Sequence, residues 1–348
     1  MTNRKGNSMQ TNMRKEINEI PEAAARLLEN SASAVTAAGK ALRERDPQFF
    51  VTVARGSSDH AALFLKYAIE LTAGRPVASL GPSLASIYGA KLKLGGAAAI
   101  AISQSGKSPD IVAMAEGATK GGAISIALTN TLPSPLADAC SHSLDLSAGP
   151  ELSVAATKSY VNSIVAGLAV LAEWTGDSDL DRAVKTLPEQ FAKAVALDWS
   201  DLAGDLKDAQ SLYVLGRGPG LAIASEAALK FKETSGMHAE AYSSAEVLHG
   251  PVALVGPSFP VIALAARDAA EASVTGMADS LADRGAYACV TAAGAKSARK
   301  LPFVATGHPI TDALALIVPF YGFVEAWSRG KGLDPDKPVN LKKVTETR

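Results

Sequence analysis

The sequence predicts an α/β protein made of two similar halves, each a parallel β-sheet with helices on both faces. One observation behind this prediction is that short apolar runs alternate with Ala- and Leu-rich segments of helical period. The other is a repeat: the run at 50–58 ends in a Gly/Ser turn, and a similar run at 212–220 follows 162 positions later. Together they indicate an internal duplication.

Each half reads strand, helix, strand, helix, strand. The first run is followed by a helical segment at 61–71, and its counterpart by one at 222–231. The next two strands also have counterparts, namely 97–102 with 260–265 and 122–128 with 285–290. Three features in register favour duplication over a chance likeness between two α/β domains.

The chain length of 348 residues suits two domains of ordinary size. We place them at 40–182 and 202–338, joined through a polar stretch and a helix, with an N-terminal tail and helix at 1–39 and a C-terminal tail at 339–348. The segment at 333–338 carries two prolines and cannot be helical. Composition alone favours a frayed tail.

Composition excludes some classes of partner. A net charge of −1 provides no field that would gather nucleic acid or anionic lipid, so we expect neither nucleic acid nor membrane as a partner. Residues 1–12 lack the apolar core of a secretory signal, and the apolar stretch at 95–102 is too short to cross a bilayer. These features predict a cytoplasmic protein.

The two cysteines, Cys140 and Cys289, are far apart and show no metal-binding spacing. Their apolar contexts predict buried free thiols in a reducing compartment. We expect neither a metal nor another cofactor.

A hydroxyl-rich loop follows the second strand of the first half. Ser103, Gln104, Ser105 and Ser108 lie between a buried strand and a helix from about 111, with Gly106 allowing close approach of the backbone to a ligand. Hydroxyl and backbone N–H donors at a helix N-terminus can hold a phosphate. A plain strand-to-helix turn remains the alternative on composition alone.

The second half lacks this loop. At the equivalent place it reads Ala265-Ala266-Arg267-Asp268-Ala269. The asymmetry suggests that one half binds phosphate and the other supplies the chemistry.

The helical segment of the second half carries charged side chains on one face. Glu226, Lys230 and Glu233 are separated by four and three positions. As an isolated pattern this is more often a solvated face with a salt bridge. His249 stands before a Gly-Pro pair in a predicted loop, and a carboxylate, an amine and an imidazole at one cleft could move protons beside a sugar carbonyl.

Short motifs are spaced along the chain from Met13 onwards. They are Met13-Arg14-Lys15-Glu16-Ile17, Arg55-Gly56-Ser57-Ser58, the loop at 103–108, Val154-Ala155-Ala156-Thr157-Lys158, the segment at 229–242, His249-Gly250-Pro251 and Asn340-Leu341-Lys342-Lys343. With them the sequence resembles the sugar-isomerase (SIS) family, in particular the isomerase part of glutamine–fructose-6-phosphate aminotransferases. The resemblance implies two tandem SIS domains, each a three-layer αβα unit of flavodoxin-like type.

The resemblance also implies a site for a small sugar phosphate. Its phosphate would be bound by Ser58, Ser103, Gln104, Ser105 and Ser108. Backbone groups of Val154 and the adjoining Ala156 would contact the sugar.

The same resemblance assigns the catalytic roles. Glu233 would shuttle a proton between C1 and C2, with Lys230 beside it. His249 would assist ring opening from a neighbouring subunit, which implies a homodimer. Lys343 would handle the open-chain carbonyl as a Schiff base, which makes the tail an active-site cover instead of a frayed end.

Two positions depart from the family pattern: Leu248 stands where a lysine is usual and Val339 where the aminotransferases have arginine. No glutaminase segment with an N-terminal cysteine is recognised before Met13, so we expect a reaction with free ammonia. The leading expectation is glucosamine-6-phosphate deamination to fructose 6-phosphate and ammonia. The alternatives are a fructosamine-6-phosphate deglycase, another amino-sugar-phosphate isomerase, and a non-catalytic sugar-phosphate sensor, although neither a helix-turn-helix nor a basic extension is recognised.

Overall fold

The computed structural model describes residues 10–343, which form two five-stranded sheets. The first contains β1 Phe49–Val53, β2 Val77–Ser79, β3 Ala97–Ser103, β4 Ile124–Thr129 and β5 His142–Asp145. The second contains β6 Ser211–Gly216, β7 His238–Ser243, β8 Pro260–Ala263, β9 Tyr287–Val290 and β10 Arg299–Lys300.

Both sheets have the same topology. The strand orders are β2-β1-β3-β4-β5 and β10-β9-β8-β6-β7, and neighbouring strands within each sheet are parallel. Numbered within its own half, each sheet has the flavodoxin-like order 2-1-3-4-5. The predicted fold class is confirmed, with five strands in each half where the sequence indicates three.

Helices cover both sheets and connect the halves. They are α1 Asn12–Asn18, α2 Ile20–Asn30, α3 Ala32–Arg45, α4 Ser57–Ala73, α5 Ser83–Ser86, α6 Pro109–Lys120, α7 Pro135–Ala139, α8 Lys158–Thr175, α9 Ser178–Val195, α10 Leu202–Asp205, α11 Pro219–Ser235, α12 Glu271–Asp283, α13 Pro309–Ala315 and α14 Ile317–Gly330.

The duplication extends to the backbone of one turn. Gly56 precedes α4 with φ 55° and ψ −133°, and Gly218 precedes α11 with φ 57° and ψ −135°. This positive-φ conformation is open almost only to glycine, so the repeat keeps a glycine at both places.

The two halves share one apolar core, because α4 packs against α11 and Tyr160 on α8 meets Tyr321 on α14 edge to face. The stretch Pro309–Gly330 is long and apolar enough to cross a membrane by length and composition, but 89% of its most apolar window is buried inside the protein. It is therefore part of the core, and it is longer than the apolar stretch at 95–102 considered in the sequence analysis.

The chain after α14 is non-helical, as predicted for 333–338. The Asp336 carboxylate accepts hydrogen bonds from the backbone N–H groups of Asn12 and Met13, both at 2.7 Å. The tail up to Lys343 is therefore tied to α1 and not frayed. The ends of the two predicted tails, 1–9 and 344–348, lie outside the described residues.

Both cysteines are free thiols, but only Cys289 is fully buried, and Cys140 is partly exposed because it directly follows the short helix α7. Burial raises the pKa of each thiol to about 11.

Candidate active site

A cavity of about 320 Å³ lies where β1 and β3 end, at the point where the strand order of the first sheet reverses. Ligands of open α/β sheets bind at such points. The cavity is lined by Arg55, Gly56, Ser58, Ile102, Ser103, Gln104, Ser105, Ser108, Asp110, Ile111 and Lys343. The structure thus brings together all five predicted phosphate-binding residues and Lys343.

The hydroxyl-rich loop delivers donors to this cavity. Ser103 is the last residue of β3, and Ser108 precedes α6 without using its side chain to cap that helix. The N-terminus of α6 adds backbone N–H groups and the positive end of the helix dipole. The loop and the helix together suit a phosphate.

Arg55 is a cavity residue that the repeat and the turn motif alone do not single out as a ligand group. Its Nε donates to Oδ2 of the buried Asp110 at 3.2 Å, and its side chain is about half exposed (53%). A guanidinium fixed in this way adds a positive charge to the phosphate cavity.

The structure gives a second reason for a glycine at position 106, besides close approach of the backbone to a ligand. Its φ is +63°, and a Cβ there would lie 2.5 Å from Ser134 Oγ and 2.8 Å from Thr129 Oγ1. The loop packs tightly against the segment that follows β4, so glycine is required for packing as well as for conformation.

Lys230 is the centre of a buried ionic network on α11. Its Nζ lies 3.2 Å from Glu226 Oε1 and 2.5 Å from Glu233 Oε2, and the lysine is fully buried. Burial lowers the pKa of Lys230, but the two carboxylates outweigh it and raise the pKa above its usual range. The more common interpretation of the sequence pattern, a solvated salt-bridged face, is therefore wrong for Glu226 and Lys230.

Glu226 is held by partners that local sequence does not reveal. Its Oε2 lies 3.0 Å from Nδ1 of His60, and its Oε1 accepts a hydrogen bond from the Tyr321 hydroxyl at 3.1 Å. Burial raises the pKa of Glu226, but Lys230 and His60 outweigh it and keep that pKa below its usual range.

The network reaches the phosphate cavity through α4. Lys230 Nζ donates to Ser57 Oγ at 2.9 Å, and Ser57 directly precedes the cavity residue Ser58. An amine of the second half thus contacts the turn that opens the cavity of the first half. Lys230 of the predicted chemistry group therefore lies beside the predicted phosphate-binding residues.

A second buried carboxylate organises the tail. Glu151 accepts hydrogen bonds from the N–H groups of Thr157 and Ser159, both at 3.0 Å, and lies 3.2 Å from Lys343 Nζ. Burial opposes the charge of Glu151, but Lys343 and Ser159 outweigh it and lower the pKa. The Lys343 amine also donates to the Ser153 carbonyl at 2.7 Å.

The predicted sugar-contacting residues Val154 and Ala156 are half-buried in this same loop. The backbone N–H of Val154 donates to the carbonyl of Asp336 at 3.2 Å, so the tail is joined to the loop. Glu233 lines a smaller cavity of about 160 Å³ together with tail residues 333, 334 and 337–339. The tail therefore runs from Glu233 to the phosphate cavity.

His249 is not among the residues that line either of these cavities. It ends a 3-10 turn, Glu246–His249, and is exposed, as are Leu248 (50%) and Leu254 (69%) beside it. Within one chain, His249 therefore lies outside the cavity that the predicted phosphate-binding residues line.

The counterpart of the phosphate loop in the second half is occupied by its own arginine. The Arg267 guanidinium donates to the carbonyls of Ala265 and Thr291 and lies 3.7 Å from the Phe303 ring centroid. It also pairs with Glu271 at 3.1 Å. These internal contacts explain why only the first half offers a hydroxyl-lined cavity at this place.

Three other cavities, of about 480, 510 and 750 Å³, are larger but contain none of the predicted site residues. One, of about 510 Å³, is lined by Trp199, Phe323 and Trp327 among others, and one of about 750 Å³ lies near Arg217 and His308. Size alone does not locate chemistry, and the smaller polar cavity is the one with convergent functional groups. Within residues 10–343, no group of three or more His, Cys, Asp or Glu side chains is arranged to hold a metal ion.

The fold and this cavity define a two-sheet α/β protein of the class that binds phosphorylated ligands at a strand-to-helix loop. The SIS domain family model matches residues 49–172 and 205–302. The chain belongs to the SIS family.

Individual relatives agree with this assignment. The chain is 33% identical over 311 residues to a glutamine–fructose-6-phosphate aminotransferase (isomerizing) from Symbiobacterium thermophilum, covering 84% of this chain and 50% of that protein. It thus spans about half the length of the curated relatives it matches.

Solved structures give the same result. A crystal structure from Silicibacter pomeroyi, provisionally called a phosphosugar isomerase, has 54% identity and a TM-score of 0.91 and covers 94% of this chain and all of that one. A glucosamine-6-phosphate deaminase from Thermotoga maritima has a TM-score of 0.76 over 97% of this chain and all of that one. At 21% identity that last likeness concerns the fold alone.

Proposed function

We propose that this protein is an amino-sugar-phosphate isomerase and deaminase that converts glucosamine 6-phosphate and water to fructose 6-phosphate and ammonia. The observation that carries the proposal is the Glu226–Lys230–Glu233 network, which contacts Ser57 at the edge of the phosphate cavity. This arrangement sets an acid–base group next to an anchor for the substrate, as isomerisation requires.

Binding would rest on local geometry, because the net charge of −1 does not attract anions. The phosphate would be held by Ser58, Ser103, Gln104, Ser105 and Ser108 with the N-terminus of α6. Backbone groups at Val154 and Ala156 would orient the sugar.

The chemistry would use Glu233 as the mobile base. In the open-chain aldose it removes the C2 proton and returns a proton to C1, while O1 gains the proton that the C2 amine loses, which leaves C1 as CH₂OH and C2 as an imine. Water adds to C2, and ammonia leaves. Lys230 holds the Glu233 carboxylate by the 2.5 Å ion pair, and Lys343 on the tail would engage the carbonyl of the open chain.

His249 would act from the partner subunit of a homodimer and assist ring opening. His249, Leu248 and Leu254 are all exposed, so this surface is open to contact with a second subunit. We further propose a cytoplasmic location, which fits two free cysteines.

The positions of the two cysteines fit a reaction in which water, and not a thiol, attacks the substrate. Neither Cys140 nor Cys289 lines the phosphate cavity, and burial raises both pKa values, which disfavours the reactive thiolate. This supports a reaction in which water, and not a cysteine thiolate, takes part in the release of ammonia.

The test is turnover of a small set of sugar phosphates by the purified protein. With glucosamine 6-phosphate we expect fructose 6-phosphate and ammonia in equal amounts. Turnover of fructosamine 6-phosphate or galactosamine 6-phosphate instead would favour the alternative enzymes. Binding of these sugars without any product would contradict the proposal and favour a sensor.

A further inference from the structure

Glu16 belongs to the N-terminal motif that the proposed reaction leaves without a role. It lies on α1 and is 3% exposed. Its Oε1 accepts hydrogen bonds from the backbone N–H groups of Leu152 and Ser153, the latter at 3.2 Å. Its Oε2 is buried and has no hydrogen-bond partner among the described residues. A buried acid with one unpaired oxygen is uncommon and requires an explanation.

The explanation lies in the loop that Glu16 holds. Ser153 donates its N–H to Glu16 on one side and accepts the Lys343 amine at its carbonyl on the other, at 2.7 Å. Glu151, two positions before Ser153, is the second partner of that amine at 3.2 Å. A displacement of this loop away from Glu16 therefore moves both groups that hold Lys343.

We propose that Glu16 is a positioning residue for Lys343. Its ionised carboxylate fixes the backbone at residues 152 and 153, and protonation of that carboxylate loosens this hold on the amine. The inference rests on the role of Lys343 in the proposed function.

Titration of Glu16 makes its hydrogen bonds with the backbone of residues 152 and 153 sensitive to pH near neutrality. Burial raises the pKa of Glu16 to about 7; Glu151 adds to the rise, while the two backbone N–H groups and Lys343 oppose it. The ionised form accepts stronger hydrogen bonds than the neutral acid does. Other charged groups on the surrounding elements are paired elsewhere: Arg14 with Glu325, Lys158 with Glu19, and Asp336 with the first N–H groups of α1.

Glu16→Gln separates the ionised from the neutral state. Glutamine keeps the shape and an acceptor oxygen but does not titrate, so it mimics the protonated acid. We expect the ratio of kcat/KM, wild type over Glu16→Gln, to be near one at about pH 5.5 and to rise to about fivefold at pH 8. In this ratio the effects of groups that titrate in the same way in both proteins cancel. The matched control is Glu22→Gln, an exposed glutamate on α2, whose ratio stays flat.

A second readout does not depend on turnover. The reactivity of the Lys343 amine is followed by limited acetylation with acetic anhydride and peptide mass spectrometry. At pH 8 we expect Lys343 to be labelled about threefold faster in Glu16→Gln than in wild type, with no difference at about pH 5.5.

The outcomes separate the two proposals. A flat kcat/KM ratio together with unchanged labelling of Lys343 overturns the role of Glu16 even if the enzyme is an active deaminase. A wild type without deaminase activity overturns the proposed function, and the labelling experiment then still decides whether Glu16 positions Lys343.

Discussion

Lys230 is the residue on which the site depends most, because two carboxylates from its own helix and a serine from the other half meet at one amine. Removal of a buried partner leaves uncompensated charge in a water-poor environment. Lys230→Met should lower the free energy of unfolding by about 3–5 kcal/mol. Urea titration measures the free energy of unfolding. The control is Lys232→Met, at an exposed position of the same helix. Equal effects of the two substitutions would contradict the account.

Ser105 is expected to bind and not to catalyse. Ser105→Ala removes one donor to the phosphate and should raise KM about tenfold with kcat nearly unchanged. The comparison is Ser33→Ala on the exposed face of α3, which should alter neither parameter. A drop in kcat with KM unchanged would place Ser105 in the chemistry instead.

The raised pKa of Glu16 also predicts a pH dependence of stability. Because the folded-state pKa is about 7 against 4.5 for the free acid, the folded protein binds the proton more tightly. Its contribution to stability is complete below about pH 4.5 and is lost as pH rises to about 7. The ionised form binds the loop more strongly yet is less stable overall, since its desolvation outweighs the two hydrogen bonds.

The corresponding measurement compares unfolding of wild type and Glu16→Gln at several pH values. Between about pH 5 and 8, wild type should lose on the order of 1–3 kcal/mol relative to the variant. A constant difference across that range would show that Glu16 titrates normally.

Sequence patterns indicate groups that are close together along the chain, but they do not indicate partners that meet only through folding. The loop at 103–108 and the Lys230–Glu233 pair follow from local pattern. The contact of His60 with Glu226 spans 166 positions, and Glu151 meets Lys343 across 192. Such partners leave no periodic signal, so Glu151 and Tyr321 could not be selected from sequence.

At the scale of elements, the long buried strands and amphipathic helices were predictable, and the short outer strands were not. β2 has three residues and β10 has two, and both strands are mostly exposed, so they carry little apolar signal. β7 is rich in polar residues because it lies at the edge of the second sheet. Edge strands need less hydrophobicity than central ones, and the apolar-run criterion therefore misses them.

The turn between β3 and α6 is expected to tolerate no side chain at Gly106. Gly106→Ala adds strain at positive φ and a contact with Ser134, and it should cost about 1–3 kcal/mol of stability and weaken sugar-phosphate binding. Gly117→Ala on α6 is the control. Its new Cβ meets ordinary contacts at 3.9 Å in a helix, so stability should stay constant or rise. Thermal unfolding of both variants checks the contrast.

At the scale of the whole molecule, duplication explains how binding and chemistry came to lie at one junction. The two sheets keep the same topology and the same glycine turn, but only the first keeps a hydroxyl-rich loop, and in the second Arg267 makes internal contacts at that place. The α4–α11 contact then joins the phosphate cavity to the acid–base network.

The proposed homodimer predicts complementation between two inactive variants. Glu233→Gln and His249→Asn should each be inactive or nearly so alone. When the two variants are mixed and exchange subunits, about half of the dimers are heterodimers, and one of the two sites in each heterodimer has both residues intact. About a quarter of wild-type activity should therefore return. No recovery, with heterodimers shown to form, would mean that His249 does not act across an interface.

In the proposed reaction Glu233, held by Lys230, moves the proton that allows the amino group to leave. The most direct test follows ¹⁵N-labelled glucosamine 6-phosphate by NMR in a single tube with wild type, Glu233→Gln, or the exposed-site control Glu189→Gln. We expect labelled ammonium and fructose 6-phosphate in equal amounts from wild type and control, and neither from Glu233→Gln, which still binds the sugar. Ammonium release at the wild-type rate from Glu233→Gln would contradict this role of Glu233.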